Sequence, residues 1–415
     1  MEAILDALFY IFMFLAMYVQ VFFLVTFLER RKEIVTREDD RADSMYPDVT
    51  VIVPCWNEEK TIAGTVQSLL ALDYPKEKLH LFIVDDGSTD GTWAEIQKFE
   101  SVPNITTLKK DNGGKHTAMN LGIAQAETDF ISCLDADSFV DPSALKRMIP
   151  FFDDPSVMAV APTIVITNPK NLIEWAQKIE YQLSAYVKKM LGFLGGIHVT
   201  PGPFSVYRAK VFKDLGSYRK AHNTEDMEIA YRMQENHYRI EQCHDAIVHT
   251  KGMPSAYTLY KQRLRWIYGF INNTIDYRRL IFRKRYGTLG LFTIPAGVVS
   301  IFAALFLFVN LLVTLVQFIV KKIVQVSTVG IRLPDFSDGF KFDWFFVSTH
   351  SVLFIAILMY LLIITSILLG TSISEGKMRL SWRVVPYIVI YSLLAPLWVL
   401  RAIFNTVARR ETAWR

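Results

Sequence analysis

The stretch from Ala7 to Leu28 carries no charged residue. As a helix it would measure about 33 Å, enough to cross a ~30 Å hydrocarbon core. It makes a poor cleavable signal, because Glu2 and Asp6 stand where a basic region should and the apolar run is too long. Glu29-Arg30-Arg31-Lys32 follows at once. Positive charge stays on the cytoplasmic side, so the N-terminus is expected outside and the chain beyond it in the cytoplasm.

Three further apolar segments lie in the last third. Leu289 to Val320 is uncharged and longer than one perpendicular span requires, which fits either a tilted helix or a turn broken near Pro295 followed by a span. The basic run Arg278 to Arg285 before it reads as a cytoplasmic flank. Phe345 to Gly370 is a third span, with Lys377, Arg379 and Arg383 in the loop after it. Val384 to Ala408, interrupted by Pro396 and Arg401, is a fourth and weaker one. Simple alternation would leave Arg409, Arg410 and Arg415 outside, against the charge rule; the segment could instead re-enter or lie along the interface. The chain thus divides into an N-terminal helix and linker (1–47), a globular region (48–285) and a membrane region of about three spans (286–415).

Composition narrows the function classes. Hydrophobic residues make up 51 % of the 415, too many for an ordinary soluble enzyme. Net charge is only +4 and no basic run interleaves with aromatics, so no nucleic-acid partner is expected. The 3 cysteines, Cys55, Cys133 and Cys243, match no metal-ligand spacing and no disulfide framework, which suits a reducing compartment.

The middle region alternates strand and helix patterns. Strands are expected over Val49–Pro54, Leu79–Val84, Ile105–Leu108 and Phe130–Leu134, with helices over Thr61–Leu72, Thr89–Phe99 and Thr117–Ala126. Such alternation implies an α/β fold with a parallel, doubly wound sheet, whose ligands bind at the carboxyl ends of the strands. Acidic pairs fall at those ends. Asp135-Ala136-Asp137 suits Mg²⁺ or Mn²⁺ bridging a diphosphate, although Asp137 could equally cap a helix near Pro142. Asp85-Asp86-Gly87-Ser88 reads as a turn, or as a carboxylate for a nucleobase or ribose. Asn112-Gly113-Gly114-Lys115 offers a flexible loop with a cation for phosphate or base oxygens, without P-loop spacing. Thr224-Glu225-Asp226 fits a helix cap with acids in the first turn, or a catalytic carboxylate. Gln262-Arg263-Leu264-Arg265-Trp266 reads as a helix at the lipid headgroups under either a catalytic or a membrane-belt interpretation.

In this order, Pro54-Cys55-Trp56-Asn57-Glu58-Glu59, Asp85-Asp86-Gly87-Ser88, Gly114-Lys115, Asp135-Ala136-Asp137, Thr224-Glu225-Asp226 and Gln262 to Trp266 give the region from Asp48 to Phe270 a clear likeness. It resembles the processive family 2 glycosyltransferases with a GT-A fold, which include cellulose, chitin, hyaluronan and poly-N-acetylglucosamine synthases. The resemblance implies a Rossmann-like, mostly parallel sheet with flanking membrane helices. It implies that Pro54, Cys55, Trp56, Glu58, Asp86 and Lys115 hold uridine diphosphate. Asp135 and Asp137 would hold the sugar diphosphate and its Mg²⁺ or Mn²⁺. Asp226 would be the base, Gln262 and Arg265 would steady the diphosphate, and Trp266 would line the acceptor's path. Glu225, Pro203 and Phe204 would lie on the acceptor side, where Pro201-Gly202-Pro203 departs from the family by carrying two prolines.

The expected function is inverting, processive transfer of a sugar, N-acetylglucosamine first, from a UDP-sugar to a β-linked polysaccharide. The polymer would be exported through a cell-membrane protein with a cytoplasmic catalytic domain. The short N-terminus, and the lack of room for an appended domain after Trp414, resemble poly-N-acetylglucosamine synthases. An accessory membrane subunit and membrane lipid are expected partners. Two alternatives stay open: single transfer to a polyprenyl-phosphate or other lipid-linked acceptor, and a non-catalytic sensor of nucleotide sugars.

Overall fold

α1 (Glu2–Arg30) follows the first apolar segment and ends at its basic flank. Strand and helix then alternate. β1 (Val49–Cys55) is buried at every position, as a strand covered on both faces must be. α2 (Ile62–Leu70), β2 (Leu79–Asp86), α3 (Thr92–Gln97), β3 (Ile105–Lys110), α4 (Lys115–Gln125) and β4 (Phe130–Cys133) complete the first half. Its strands pair in parallel in the order β3-β2-β1-β4. β3 is the edge, and its exposed Thr and Lys side chains suit that place. This is a computed structural model, and it describes residues 2–36, 41–330 and 351–411.

The second half departs from a simple parallel sheet. β5 (Phe139–Val140), α5 (Ala144–Met148), β6 (Val157–Ile166), α6 (Leu172–Phe193), β7 (Ser205–Arg208), α7 (Lys210–Leu215), α8 (Glu225–Glu235) and β8 (Arg239–Thr250) follow. β7 runs antiparallel between β4 and β6, and β8 lies parallel to β6 and antiparallel to β5. The reversal pairs Ser205, where β7 begins, with Cys133, where β4 ends. The chain entering β7 is thereby delivered to the carboxyl end of β4. Asp137 caps no helix at Pro142, since α5 begins at Ala144 after a turn.

α9 (Ala256–Asp276) opens on a reciprocal capping box between Ser255 and Thr258. A one-turn π-helix, Leu289–Thr293, precedes α10 (Ile294–Val329), whose Pro295 sits in the first turn. The backbone stays helical from the π-turn through Thr293 and Ile294 into α10, so the segment is one continuous helix with Pro295 near its start, not a turn broken there. α11 (Ser351–Glu375) and α12 (Val384–Val407) follow. The start of the third apolar segment, 345–350, and the terminal Trp414 and Arg415 lie outside the described residues. Four described helices are long and apolar enough to cross a membrane: those within Ala7–Glu33, Leu289–Thr328, Val352–Glu375 and Val384–Val407.

α12 does not leave the globular domain. At its start the Arg383 guanidinium lies 3.4 Å from the centre of the Trp175 ring on α6. Farther along, Thr406 accepts a hydrogen bond from Asn272 of α9 at 3.0 Å. Just beyond its end Glu411 pairs with Lys220 at 2.7 Å. Both ends therefore meet the domain, and α12 lies along α6 and α9 with Trp398, Ala402 and Asn405 buried beneath it. Its outward side presents an apolar stripe of Val385, Val389, Leu393, Leu397, Leu400 and Phe404. Arg409 and Arg410 therefore end beside the domain, next to the Glu411–Lys220 pair.

α11 is fastened to α6 more tightly. Gln182 donates to Glu375 at 2.9 Å, Lys178 pairs with Glu375 at 2.9 Å, and Gly370 packs directly on the Gln182 backbone. A Cβ at position 370 would overlap the Gln182 carbonyl oxygen. Gly370→Val should therefore cost about 1–3 kcal/mol by overpacking. A thermal-unfolding midpoint in detergent equal to that of the unaltered protein would show that this contact is not needed.

Candidate active site

The carboxyl end of β4, the loop into β7 and the start of α8 converge on one ammonium. Lys115, first residue of α4, forms an ion pair with Asp135 just past β4 and lies 3.5 Å from Glu225 at the start of α8. Burial alone would lower the Lys115 pKa, but Asp135 and Glu225 outweigh it and hold the ammonium above its ordinary range. Over this pair runs Pro201-Gly202-Pro203. A Cβ on Gly202 would stand 2.8 Å from the Lys115 Nζ and 3.5 Å from either Asp135 oxygen. The backbone itself thus covers the ion pair, and a side chain at 202 would have to displace the Lys115 ammonium.

Asp226 stands beside this cluster. Its backbone carbonyl accepts from the Thr200 amide at 3.2 Å and the Thr200 hydroxyl at 3.0 Å, tying the acceptor-side loop to the start of α8. Burial, then the neighbouring Glu225, pushes the Asp226 carboxyl up to about 6, while Lys115 and Arg265 act against the shift. Asp137 is likewise pushed up to about 6 by burial and by Asp135. Lys188 of α6 also senses Asp226; burial lowers it to about 8 against that carboxylate's pull.

The nucleotide-side residues have more structural duties than the pattern suggested. Asp86 is 3 % exposed and accepts from the Gly113 amide at 3.0 Å, the Gly114 amide at 2.8 Å and the Lys110 ammonium at 2.6 Å. It thus folds the loop that delivers Lys115. Asn57, at positive φ, accepts from the Thr89 amide at 2.8 Å, and the Glu58 amide donates to Thr92 at 2.7 Å. These bonds lock the Pro54–Glu58 turn onto the loop after β2, with Trp56 on the same turn. Glu58 is close enough to Asp137 to raise its pKa further.

Two expectations need correction. Cys55 is 1 % exposed and its thiol donates to the Val53 carbonyl at 3.3 Å, so only its backbone can meet a ligand. All three cysteines are free and buried. Phe204 is fully buried among the sheet residues, its amide bonded to the Cys133 carbonyl at 2.6 Å, so its side chain does not line an acceptor path. Pro203 is half-buried at the edge of the loop.

α9 closes the site from the other side. Arg265 donates to the Asn223 carbonyl at 2.8 Å, immediately before Thr224-Glu225-Asp226. Gln262 accepts from Arg263, and the Arg263 guanidinium lies 4.0 Å from the centre of the Trp266 ring. Arg263 also grips Glu180 of α6 through two nitrogens, one at 2.9 Å. Arg265 thus lies close enough to Asp226 to act on its carboxyl, while Gln262 and Trp266 flank Arg263. Lys110, Lys188 and Glu180 were not read from the sequence. Lys110 had a usable signal, a lysine at the end of a strand beside Asp86.

Residues 50–216 match the model of Glycosyl transferase family 2. This stretch is a family 2 glycosyltransferase domain. The poly-beta-1,6-N-acetyl-D-glucosamine synthase of Staphylococcus aureus is 32 % identical over 249 residues, 58 % of this chain and 58 % of that protein. The beta-monoglucosyldiacylglycerol synthase of Synechocystis sp. is 30 % identical over 247 residues, 58 % of this chain and 52 % of that protein. The chain therefore spans a little over half the length of these curated relatives. Among solved structures, the mannosyltransferase PcManGT from Pyrobaculum calidifontis, in complex with GDP-Man and Mn²⁺, superposes with a TM-score of 0.60 at 17 % identity. That match covers 96 % of this chain and 100 % of the other. The likeness shows the fold, and the glycosyltransferase domain is GT-A-like with a mixed, mostly parallel sheet.

The elevated carboxyls of this glycosyltransferase domain set a pH dependence. Asp226 and Asp137 take up protons as pH drops through about 6, so transfer that needs either charge should fall there. The acid limb belongs to the cluster as a whole, because the carboxyls interact. Nucleotide release measured from pH 5 to 8 checks this; a rate flat down to pH 5 would show that neither group needs its charge.

Proposed function

We propose that the chain is an inverting, processive synthase that transfers N-acetylglucosamine from UDP-N-acetylglucosamine to a growing β-linked polysaccharide. The observation that carries this reading is the meeting of Asp226, the Lys115–Asp135 pair and the Gln262–Trp266 segment at one sheet end. Asp226 takes the proton of the acceptor hydroxyl as that oxygen attacks the sugar's anomeric carbon. The diphosphate leaves towards Lys115 and Arg265, whose positive charge lowers the barrier where negative charge develops. Trp266 offers a flat apolar surface to the terminal sugar of the acceptor, with Pro203 and Glu225 nearby. The Staphylococcus aureus relative supports N-acetylglucosamine as the sugar.

Asp135 and Asp137 fit a divalent cation. Their carboxylates sit together in a half-buried place where repulsion raises Asp137, and added positive charge would relieve it. Among the described residues no three His, Cys, Asp or Glu side chains form a ready cage. That suits Mg²⁺ or Mn²⁺, which take one or two carboxylates and complete their shell with substrate phosphates. When bound, the ion would neutralise the departing diphosphate. The Mn²⁺ complex of the Pyrobaculum calidifontis enzyme supports the assignment.

In the membrane, we take α1, α10 and α11 to cross, and α12 to lie on the cytoplasmic face with its apolar stripe in the lipid. The catalytic domain, Arg30-Arg31-Lys32, Arg383 and Arg409-Arg410 then share the cytoplasmic side. One other reading has a specific support: the Synechocystis relative acts on a diacylglycerol lipid by name, which favours single transfer to a lipid acceptor.

Asp226→Asn should lower transfer by ~10²–10⁴-fold while donor binding survives, because an amide cannot take the proton. Retention of more than about a tenth of the rate would remove Asp226 as the base. Chelation with EDTA should abolish the activity and Mg²⁺ or Mn²⁺ restore it; transfer that persists in EDTA would sink the metal site. Sizing the product made by purified protein from radiolabelled UDP-N-acetylglucosamine separates polymer from a singly glycosylated lipid.

A further inference from the structure

Arg263 lies inside the Gln262–Trp266 segment and is 4 % exposed, an unusual place for a guanidinium unless it is paired. Its partner comes from outside the motif. Glu180 of α6 takes both Arg263 contacts, one at 2.9 Å, and accepts a third hydrogen bond from the Tyr391 hydroxyl of α12 at 2.5 Å. Three helices therefore meet at one carboxylate. The remaining Arg263 nitrogen donates to the Gln262 amide oxygen, and its plane covers one face of Trp266 at 4.0 Å. Bidentate arginine–carboxylate pairing fixes the orientation of the guanidinium plane, and with it both neighbours.

We propose that Glu180 is a positioning residue for the acceptor side of the site, and that through Tyr391 it sets the register of Gln262 and Trp266 to the position of α12. The inference rests on the reading of Trp266 as an acceptor platform. Nothing in the pair touches Lys115, Asp135 or Asp226, so its loss reaches the acceptor side through Trp266 and the donor side only through Gln262. α12 presents its apolar stripe outward and its Tyr391 inward, so its seat on lipid is transmitted to the indole through one hydroxyl and one carboxylate. The ion pair is thus a link between the membrane surface and the growing chain end.

The test uses the full chain, purified in lipid nanodiscs, with UDP-N-acetylglucosamine as probe. UDP release and product size are read on the same samples. Tyr391→Phe removes only the hydroxyl and should shorten the product several-fold while UDP release changes less than about twofold. Glu180→Gln should act more strongly in the same direction. Because leaving Arg263 buried and unpaired endangers folding, the pair Glu180→Leu with Arg263→Met keeps the volume apolar. It should yield folded protein that releases UDP but makes short product. Trp266→Ala runs alongside and should also shorten the product. Normal product length in Tyr391→Phe and in the double variant, with short product from Trp266→Ala, overturns the positioning role alone. Normal length in Trp266→Ala overturns the platform reading and this inference with it.

Discussion

One ammonium holds the site together. Asp135, Glu225 and Asp226 come from the ends of two elements far apart in sequence, and each would repel the others without Lys115 among them. Like charges at such range cost several kcal/mol where the surroundings are poorly polarisable. The cation therefore does structural work before any substrate arrives. It joins the parallel half of the sheet, through α4 and β4, to the antiparallel half, through α8. Asp86 supports it from behind by folding the glycine loop from which Lys115 emerges.

The elements of the first half were legible in the sequence because local signals and burial agree there. Four short β-branched runs separated by helical spacing leave few alternatives to a parallel sheet, and the observed strands begin where those runs begin. The second half was not legible. β7 is four residues long and reverses direction between two neighbours, a choice made by tertiary pairing that no local propensity records. Of the site, the residue types and their order were readable. Their partners were not: nothing in the pattern around Asp86 shows that its carboxylate also braces the Gly113–Gly114 loop. Phe204 sat inside a promising motif yet faces the core, because the chain turns through a left-handed residue there (φ 64°) as it enters β7.

α12 shows how composition alone can mislead about topology. Its 24 residues are long enough to cross a bilayer, and hydropathy cannot tell crossing from lying flat. What distinguishes the two is the pattern around the helix. A span packed loosely in lipid is apolar on all sides, whereas α12 carries Tyr391, Asn405 and Arg401 among its apolar residues and meets the domain at both ends. The charge rule had already flagged the difficulty at Arg409 and Arg410. The contacts to Trp175, Asn272 and Lys220 hold both ends of the helix against the domain.

α9 is where the requirements of chemistry and of the membrane meet. Within three turns it offers Arg265 to the backbone before Asp226, Trp266 to the plane of Arg263, and Arg263 to a carboxylate held by α6 and α12. A helix can carry these duties at once because residues three and four apart share a face while their immediate neighbours point elsewhere. The consequence is mechanical. A rigid helix cannot shift its contact with Asn223 without also shifting Trp266, so the segment that leads into Asp226 and the indole move together or not at all.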